Sequence, residues 1–346
     1  MAKFNPSRLK LARTRRGLTM TALAKKAGLS LRMIVDYEKD YCLYEPSEQT
    51  IASFVDVLKY PADFFFGEDI ESIDPSTVSF RSLKKMTSAQ EGAAIGAGQL
   101  GLIVSDYFEQ YFKLPELNLI DLRGETPESA ARALRDYWKL GSKSIFNMVH
   151  LLEMNGIKVF SLSENTAEVD AYSFWKAGKA YVFLNNQKTA ERSRFDAAHE
   201  LGHLVLHKHG TPQGKDIEIE ANEFASAFLM PKESILAAKM RNPSLDAVLQ
   251  LRHNWKVSTF ALIYRMRQAG ALTTWQYNNL VREASARGFR LREDQVMERE
   301  RSMIIDSLLD ALADDGITLP VISRQLNIPV GELSNLLFRF GLIQSI

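Results

Sequence analysis

The sequence contains a single cysteine, Cys42, among its 346 residues. One cysteine cannot form a disulfide within the chain or build a cysteine cluster for zinc, which excludes a disulfide scaffold. With no signal-peptide pattern at the start, the chain is expected to work in the reducing cytoplasm. It also lacks any run of about 18 apolar residues, so no membrane span is predicted.

Net charge is also nearly absent. The chain has 43 basic and 42 acidic residues, a formal charge of +1, with 46% hydrophobic residues. This composition excludes wholesale disorder and a uniformly polybasic protein, so any nucleic-acid site must be local. The length predicts two to three domains.

Basic residues are concentrated at the N-terminus, where residues 1–45 hold ten basic and four acidic side chains. Three short helices are predicted there: Arg8 to Arg16, one from the Thr19 cap to Ala27, and Leu31 to Glu38 after the Ser30 cap. Further helical periodicity follows, so residues 1–70 are expected to form a five-helix module.

The predicted element order divides the rest of the chain into three parts. Residues 71–115 predict a spacer helix, residues 116–240 an α+β domain, and residues 241–346 a helical region. The fold is therefore expected to be mostly α with one α+β domain. The predicted strands are Ile157 to Leu162, Ala171 to Trp175 and Ala180 to Leu184.

Two helix-turn-helix-like units are predicted in the helical region. One surrounds Trp255, with Ser258 capping its second helix, and the other joins a helix from Leu319 to Leu326 to one from Val330 to Phe340. The apolar stripe of this last helix favours packing or dimerisation. Alternating charges over residues 282–301 predict an exposed connector.

The clearest motif is an H-E-x-x-H sequence at His199, Glu200 and His203 in a predicted helix. Residues four apart share a helix face, so both imidazoles can reach one Zn²⁺ per chain. Glu200 lies beside them as a general base for a metal-bound water. An exposed His/Glu helix face is the alternative, but the apolar residues around the motif favour a metal.

A catalytic zinc needs a third protein ligand and an open position for water. His209 has the metzincin spacing, but Leu206 replaces the glycine which that motif requires. His207 lies one turn further along the helix, where a helix C-terminal histidine is the simpler interpretation. Glu220, at the margin of the next helix's apolar stripe, is the predicted third ligand. Glu218 has a suitable angle on that helix but lies at its predicted start. Glu223 points away from the stripe.

Such a site would perform metal-assisted peptide hydrolysis, with Glu200 taking the proton of the attacking water. The strand from Ala180 to Leu184 is expected to hold an extended peptide by edge pairing. Tyr172 and Tyr181 are candidate oxyanion donors, although packing is the commoner role of a strand tyrosine.

The motif and its surroundings resemble the ImmA/IrrE family of metallopeptidases over roughly residues 75–290. The resemblance implies a zincin-like, gluzincin-like domain. In that family the peptidase is encoded with or fused to a helix-turn-helix regulator, and characterised members relieve repression by cleaving a repressor. The matching segments are Phe195 to His207, Glu220 to Ala225, Phe228 to Pro231, Phe80 to Leu83, Trp255 to Ser258, Ala261, Leu262 and Arg265.

The N-terminal module resembles an Xre/Cro-type helix-turn-helix, in which the helix from Ser30 to Glu38 would enter the major groove of an operator. The sequence departs from the family pattern in two ways: Met20 stands where the family commonly has glutamine, and the helix that would enter the groove is largely apolar. A protein-interaction module is the alternative. Such proteins commonly bind as dimers, so a homodimer is expected. The candidate DNA contacts are Arg15, Arg16, Lys25, Lys26 and Arg32.

Three functional hypotheses follow. The first is a DNA-binding regulator whose zinc endopeptidase cleaves a regulatory protein, a repressor or an antitoxin. The second is a non-proteolytic transcription factor or antitoxin whose zinc domain is structural or ligand-sensing. The third is self-cleavage near residues 71–79, which would separate the N-terminal module from the peptidase.

Overall fold

A computed structural model describes residues 3–40, 44–80, 86–162, 171–207, 214–293 and 297–339. Cys42, His209, Phe340 and the Arg81 to Leu83 part of the family motif lie outside these ranges. Within them, every helix is too short or too polar to cross a membrane.

The N-terminal module consists of four α-helices and a 3-10 helix, as the sequence predicts. Thr19 and Ser30 cap α2 and α3 by accepting hydrogen bonds from the backbone N–H groups of Ala22 and Met33. These caps begin both helices where they are expected. The helices are α1 (Pro6–Arg15), α2 (Met20–Ala27), α3 (Leu31–Tyr37), α4 (Glu48–Leu58) and the 3-10 helix Ala62–Phe66.

A four-stranded mixed sheet lies at the centre of the molecule, in the order β1, β3, β4, β2. The central strand β4 pairs antiparallel with β3 and parallel with β2. Both of its edges are therefore occupied, and the expectation that this strand pairs with a peptide is wrong. The strands are β1 (Ser79–Phe80), β2 (Lys158–Leu162), β3 (Ala171–Lys176) and β4 (Lys179–Asn185).

The sheet separates two hydrophobic cores. Tyr172 and Tyr181 lie in the core that also holds the N-terminal module and helix α5 (Ser88–Tyr111). Ala171 and Val182 lie in the other, because side chains alternate along a strand. Two α5 glycines, 98 and 101, pack closely: an added Cβ at Gly101 would meet Phe183 of β4 at 2.6 Å, and one at Gly98 would meet Phe174 of β3 at 3.3 Å. The segment predicted as a spacer is thus a packed core helix.

Helices α6 to α10 pack around the second core, together with later helices, confirming the predicted α+β order. Thr126 caps α6 with Pro127 in its first turn, as the sequence indicates. Helices α8 and α9 pack against each other, and α8 also packs on β3 and β4. The helices are α6 (Pro127–Tyr137), α7 (Met148–Met154), α8 (Ala190–Leu206), α9 (Lys215–Leu229) and α10 (Lys232–Ala237).

Six further helices complete the described chain: α11 (Leu245–Trp255), α12 (Thr259–Gln268), α13 (Thr274–Ala286), α14 (Met303–Asp314), α15 (Leu319–Leu326) and α16 (Val330–Leu336). Both predicted helix pairs are present. The predicted exposed connector is only partly exposed, because Glu293 pairs with buried Arg252 and Glu300 with buried Arg194.

Candidate metal centre

The H-E-x-x-H motif lies in the middle of α8, which begins after the Thr189 cap. His199 and Glu200 are fully buried and His203 is 3% exposed. One helical turn separates the two histidines, and their Nε2 atoms are 3.0 Å apart. The two rings therefore present their Nε2 atoms to one point.

A carboxylate from α9 completes a group of three donors. The Glu218 oxygens lie 3.5 Å from His199 Nε2 and 3.4 Å from His203 Nε2. Among the described residues, this is the one group of three acidic, histidine or cysteine side chains that could hold a metal ion. Burial raises the pKa of Glu218, but its contacts with His199 and His203 outweigh burial and lower that pKa to about 2. A glutamate carboxylate is an oxygen donor that zinc accepts beside imidazole nitrogens.

Glu220, the third ligand that the sequence favours, contacts a different residue. Its carboxylate lies 2.8 Å from His207 Nε2. The difference arises because α9 begins at Lys215, so Glu218 is inside the helix and one turn before Ala221, which packs on α8. Glu220 lies on another side of α9. His209, the metzincin-type alternative, lies outside the described residues.

Asn222 supports the first histidine. Its Nδ2 donates to the backbone carbonyl of Glu218 at 2.7 Å, which turns its Oδ1 toward His199 Nδ1 at 3.1 Å. The amide oxygen can only accept, so His199 Nδ1 carries the proton. In the neutral ring, His199 Nε2 then has a lone pair facing the other donors.

The second histidine is supported by His207, whose Nδ1 lies 3.2 Å from His203 Nδ1. His207 caps the C-terminus of α8, and burial lowers its pKa, which favours the neutral ring. The helix-terminal role expected for His207 thus includes a contact with a metal-ligand candidate.

The separations within the donor group fit zinc. Zinc bonds of about 2.0–2.1 Å at tetrahedral angles place neighbouring ligand atoms about 3.3 Å apart. The two Nε2 atoms are 3.0 Å apart, and each has a Glu218 oxygen at a similar distance, Oε2 at 3.5 Å from His199 and Oε1 at 3.4 Å from His203. Two imidazole nitrogens and one carboxylate leave the fourth position for water, as in catalytic zinc sites.

Glu200 lies between the donor group and the sheet. Ser173 of β3 donates its Oγ–H to Glu200 Oε2 at 2.7 Å. Ser173 is also the residue opposite Ser79 in the β1–β3 pairing. The general-base candidate is therefore hydrogen-bonded to β3, the strand that pairs with β1.

The candidate oxyanion tyrosines face away from this centre. Tyr172 donates its hydroxyl to the carbonyl of Ala94 in α5 at 2.6 Å. Tyr181 lies in the same core as Tyr172, on the sheet face opposite Glu200. Packing against α5 is therefore their role in this fold.

The candidate DNA contacts form two groups. Lys25, Lys26 and Arg32 are exposed on α2 and α3. Arg15 and Arg16 instead bind Glu332 of α16, and Arg16 Nε also donates to the carbonyl of Leu58. Burial raises the pKa of Glu332, but Arg15 and Arg16 outweigh it and keep that pKa low.

Sequence reasoning did not find Ser173 or Asn222 and placed Glu218 second to Glu220. Asn222 follows Glu218 by four residues on α9, a spacing that could have placed both on one helix face. No sequence signal connects Ser173 to Glu200, because the packing of α8 on β3 brings these distant residues together.

The fold and site define a metallopeptidase-like domain attached to a helix-turn-helix module. Residues 152–267 match the family model of the IrrE N-terminal-like domain, a metallopeptidase family, and residues 9–65 match the model described as Helix-turn-helix. A search of curated proteins found no match. The chain thus combines a helix-turn-helix DNA-binding domain with an IrrE-like metallopeptidase domain, and the whole donor group lies within the latter.

Proposed function

We propose that this protein is a DNA-binding regulator whose zinc endopeptidase domain hydrolyses a peptide bond in a regulatory protein of the repressor or antitoxin type. The observation that supports the peptidase is the convergence of His199, His203 and Glu218, with Glu200 beside them on the same helix. The helix-turn-helix match supports the DNA-binding part.

In this proposal, His199, His203 and Glu218 hold one Zn²⁺ per chain. Zinc, when bound, polarises the peptide carbonyl and lowers the pKa of a water toward neutrality. Glu200 accepts the proton of the attacking water and passes it to the leaving amine, so the peptide C–N bond breaks while a C–O bond forms. Ser173 holds the Glu200 carboxylate in place through its 2.7 Å hydrogen bond.

The proposed operator contacts are Lys25, Lys26 and Arg32, which are exposed on α2 and α3. Leu31 and Met33 are also exposed on α3, where each could contact a thymine methyl group. Two copies of the module would read two half-sites, so we propose that the protein binds double-stranded DNA as a homodimer.

The decisive experiment compares protein N-termini in cells carrying the wild-type chain with those in cells carrying Glu200→Gln. The glutamine keeps the size of the side chain but cannot accept the water proton, so the variant should retain zinc and lose cleavage. N-termini present only with the wild type would identify the substrate.

Burial of the site favours the non-proteolytic regulator as the second candidate. His199 and Glu200 are both 0% exposed, so neither side chain presents surface to a peptide in the described structure. Zinc binding with identical N-termini in both strains and unchanged regulation in Glu200→Gln would contradict the peptidase and establish this second function.

A further inference from the structure

Glu220 and His207 form a chain of contacts that ends on the candidate zinc ligand His203. Glu220 lies 2.8 Å from His207 Nε2, and His207 Nδ1 lies 3.2 Å from His203 Nδ1. We propose that His207 and Glu220 are positioning residues, a relay that holds the His203 ring with Nε2 toward the metal. This inference rests on the zinc site of the proposed function.

With a neutral His207 ring, the hydrogen-bonding capacities along this chain give one arrangement of protons. The Glu220 carboxylate can only accept, so His207 Nε2 is the donor to it. The other nitrogen of the neutral His207 ring, Nδ1, then accepts the proton of His203 Nδ1. His203 Nε2 is left with a lone pair, the form in which imidazole binds zinc.

The same arrangement separates the two carboxylates of α9 by role. Glu218 contacts the metal-facing Nε2 atoms of both histidines, whereas Glu220 contacts neither of them and reaches the site through His207. The His207 side chain is 7% exposed and that of Glu220 is 50% exposed, so the relay runs from the surface to the buried His203.

The two histidine ligands consequently have different supports. Asn222, a neutral amide, holds His199, whereas His203 depends on an imidazole oriented by a carboxylate. Without the relay, the His203 ring is free to adopt the other tautomer, with an N–H directed at the metal position. Loss of such outer contacts typically weakens metal binding 10- to 100-fold.

The test is zinc affinity of the full-length protein, measured by competition with a chromogenic chelator. We expect His207→Ala and Glu220→Ala each to weaken zinc binding about 10- to 100-fold. The double variant should bind zinc no more weakly than His207→Ala, because Glu220 acts only through His207. Additive losses would overturn the relay, because they would show that Glu220 acts independently of His207.

His207→Asn is the conservative variant, because the asparagine Oδ1 occupies nearly the same place as Nδ1 and accepts from His203. It should recover part of the affinity that His207→Ala loses, and adding Glu220→Ala to it should change nothing. Glu223→Ala, which removes the same charge from α9, is the matched control and should bind zinc like the wild type. Circular dichroism of the metal-free variants reports whether the fold is intact.

These outcomes distinguish the relay from the zinc site itself. A wild-type chain that binds no zinc would contradict the proposed function. Tight zinc binding by the wild type, with affinity within about twofold in a folded His207→Ala variant, would contradict the relay alone.

Discussion

Gly202, between Glu200 and His203, lies in the contact between the two helices of the metal centre. A Cβ at this position would lie 3.0 Å from Phe224 Cδ1 and 3.4 Å from Ala221 Cα, both on α9. Because α9 also carries Glu218, the missing side chain at residue 202 sets how closely the third donor approaches the two histidines.

We expect Gly202→Ala to push α9 away from α8. The overpacked contact should cost about 1–3 kcal/mol of unfolding free energy, and the displaced Glu218 should weaken zinc binding. Urea unfolding and chelator competition measure the two effects.

Gly92→Ala in helix α5 is the matched control. Its Cβ would lie 3.5 Å from the Thr14 side chain of α1, an ordinary van der Waals distance. That substitution should leave zinc affinity unchanged and stabilise the helix by up to about 1 kcal/mol. Equal zinc affinities in both variants would contradict the role assigned to Gly202.

The sequence predicts the two histidines and Glu200 because their geometry is contained within one helix. The third donor could not be chosen in the same way. Glu218 and Glu220 are only two residues apart, and the choice depends on where α9 begins and which side meets Gly202. Both are properties of the packed pair of helices, which a single segment does not encode.

At the scale of elements, the start of α14 is held by a buried carboxylate from α7. Glu153 is 5% exposed and accepts a hydrogen bond from Ser302, the N-cap of α14, and one from the backbone N–H of Ile304. Burial is the largest influence, and it raises the pKa of Glu153 from 4.5 to about 7 despite these hydrogen bonds.

This raised pKa predicts how stability depends on pH. Between about pH 4.5 and 7 the folded chain keeps the Glu153 proton that the unfolded chain loses, so its contribution to stability falls as pH rises through that range. Relative to Glu153→Gln, the wild type should lose at most on the order of 3 kcal/mol of unfolding free energy as pH rises through that range. Urea unfolding at a series of pH values measures the difference, and parallel profiles would contradict it.

Helices were predicted well because their ends are marked locally. Thr19, Ser30, Thr126 and Ser258 all cap helices at the expected places. The neighbours of each strand were not predictable, because pairing joins distant residues. Thus β4 was correctly predicted as a strand, but its central position between β2 and β3 was not.

At the scale of the whole molecule, the basic residues of the N-terminal module serve two purposes. Arg15 and Arg16 bind Glu332 of α16, and the Arg16 guanidinium also lies 5.0 Å from the centre of the Tyr60 ring. Lys25, Lys26 and Arg32 remain at the surface. The composition shows that the module is basic, but it does not show which basic residues form ion pairs within the protein.

This division predicts the salt dependence of DNA binding. Lys25→Ala should reduce the slope of log affinity against log salt by about 1 on a duplex DNA fragment, because one phosphate contact is lost. Arg16→Ala should leave the slope unchanged and lower the melting temperature. Fluorescence anisotropy at several salt concentrations tests both, and the reverse pattern would place Arg16, rather than Lys25, on the DNA.

The contact between Glu332 and the two arginines also determines what a break in the chain could do. The N-terminal module shares one core with α5 and with α14 to α16, so covalent and non-covalent connections run in parallel. Hydrolysis within residues 71–79 would break the backbone, but the shared core would keep the two fragments bound to each other. Release of the module would require a second event that separates Glu332 from its arginines.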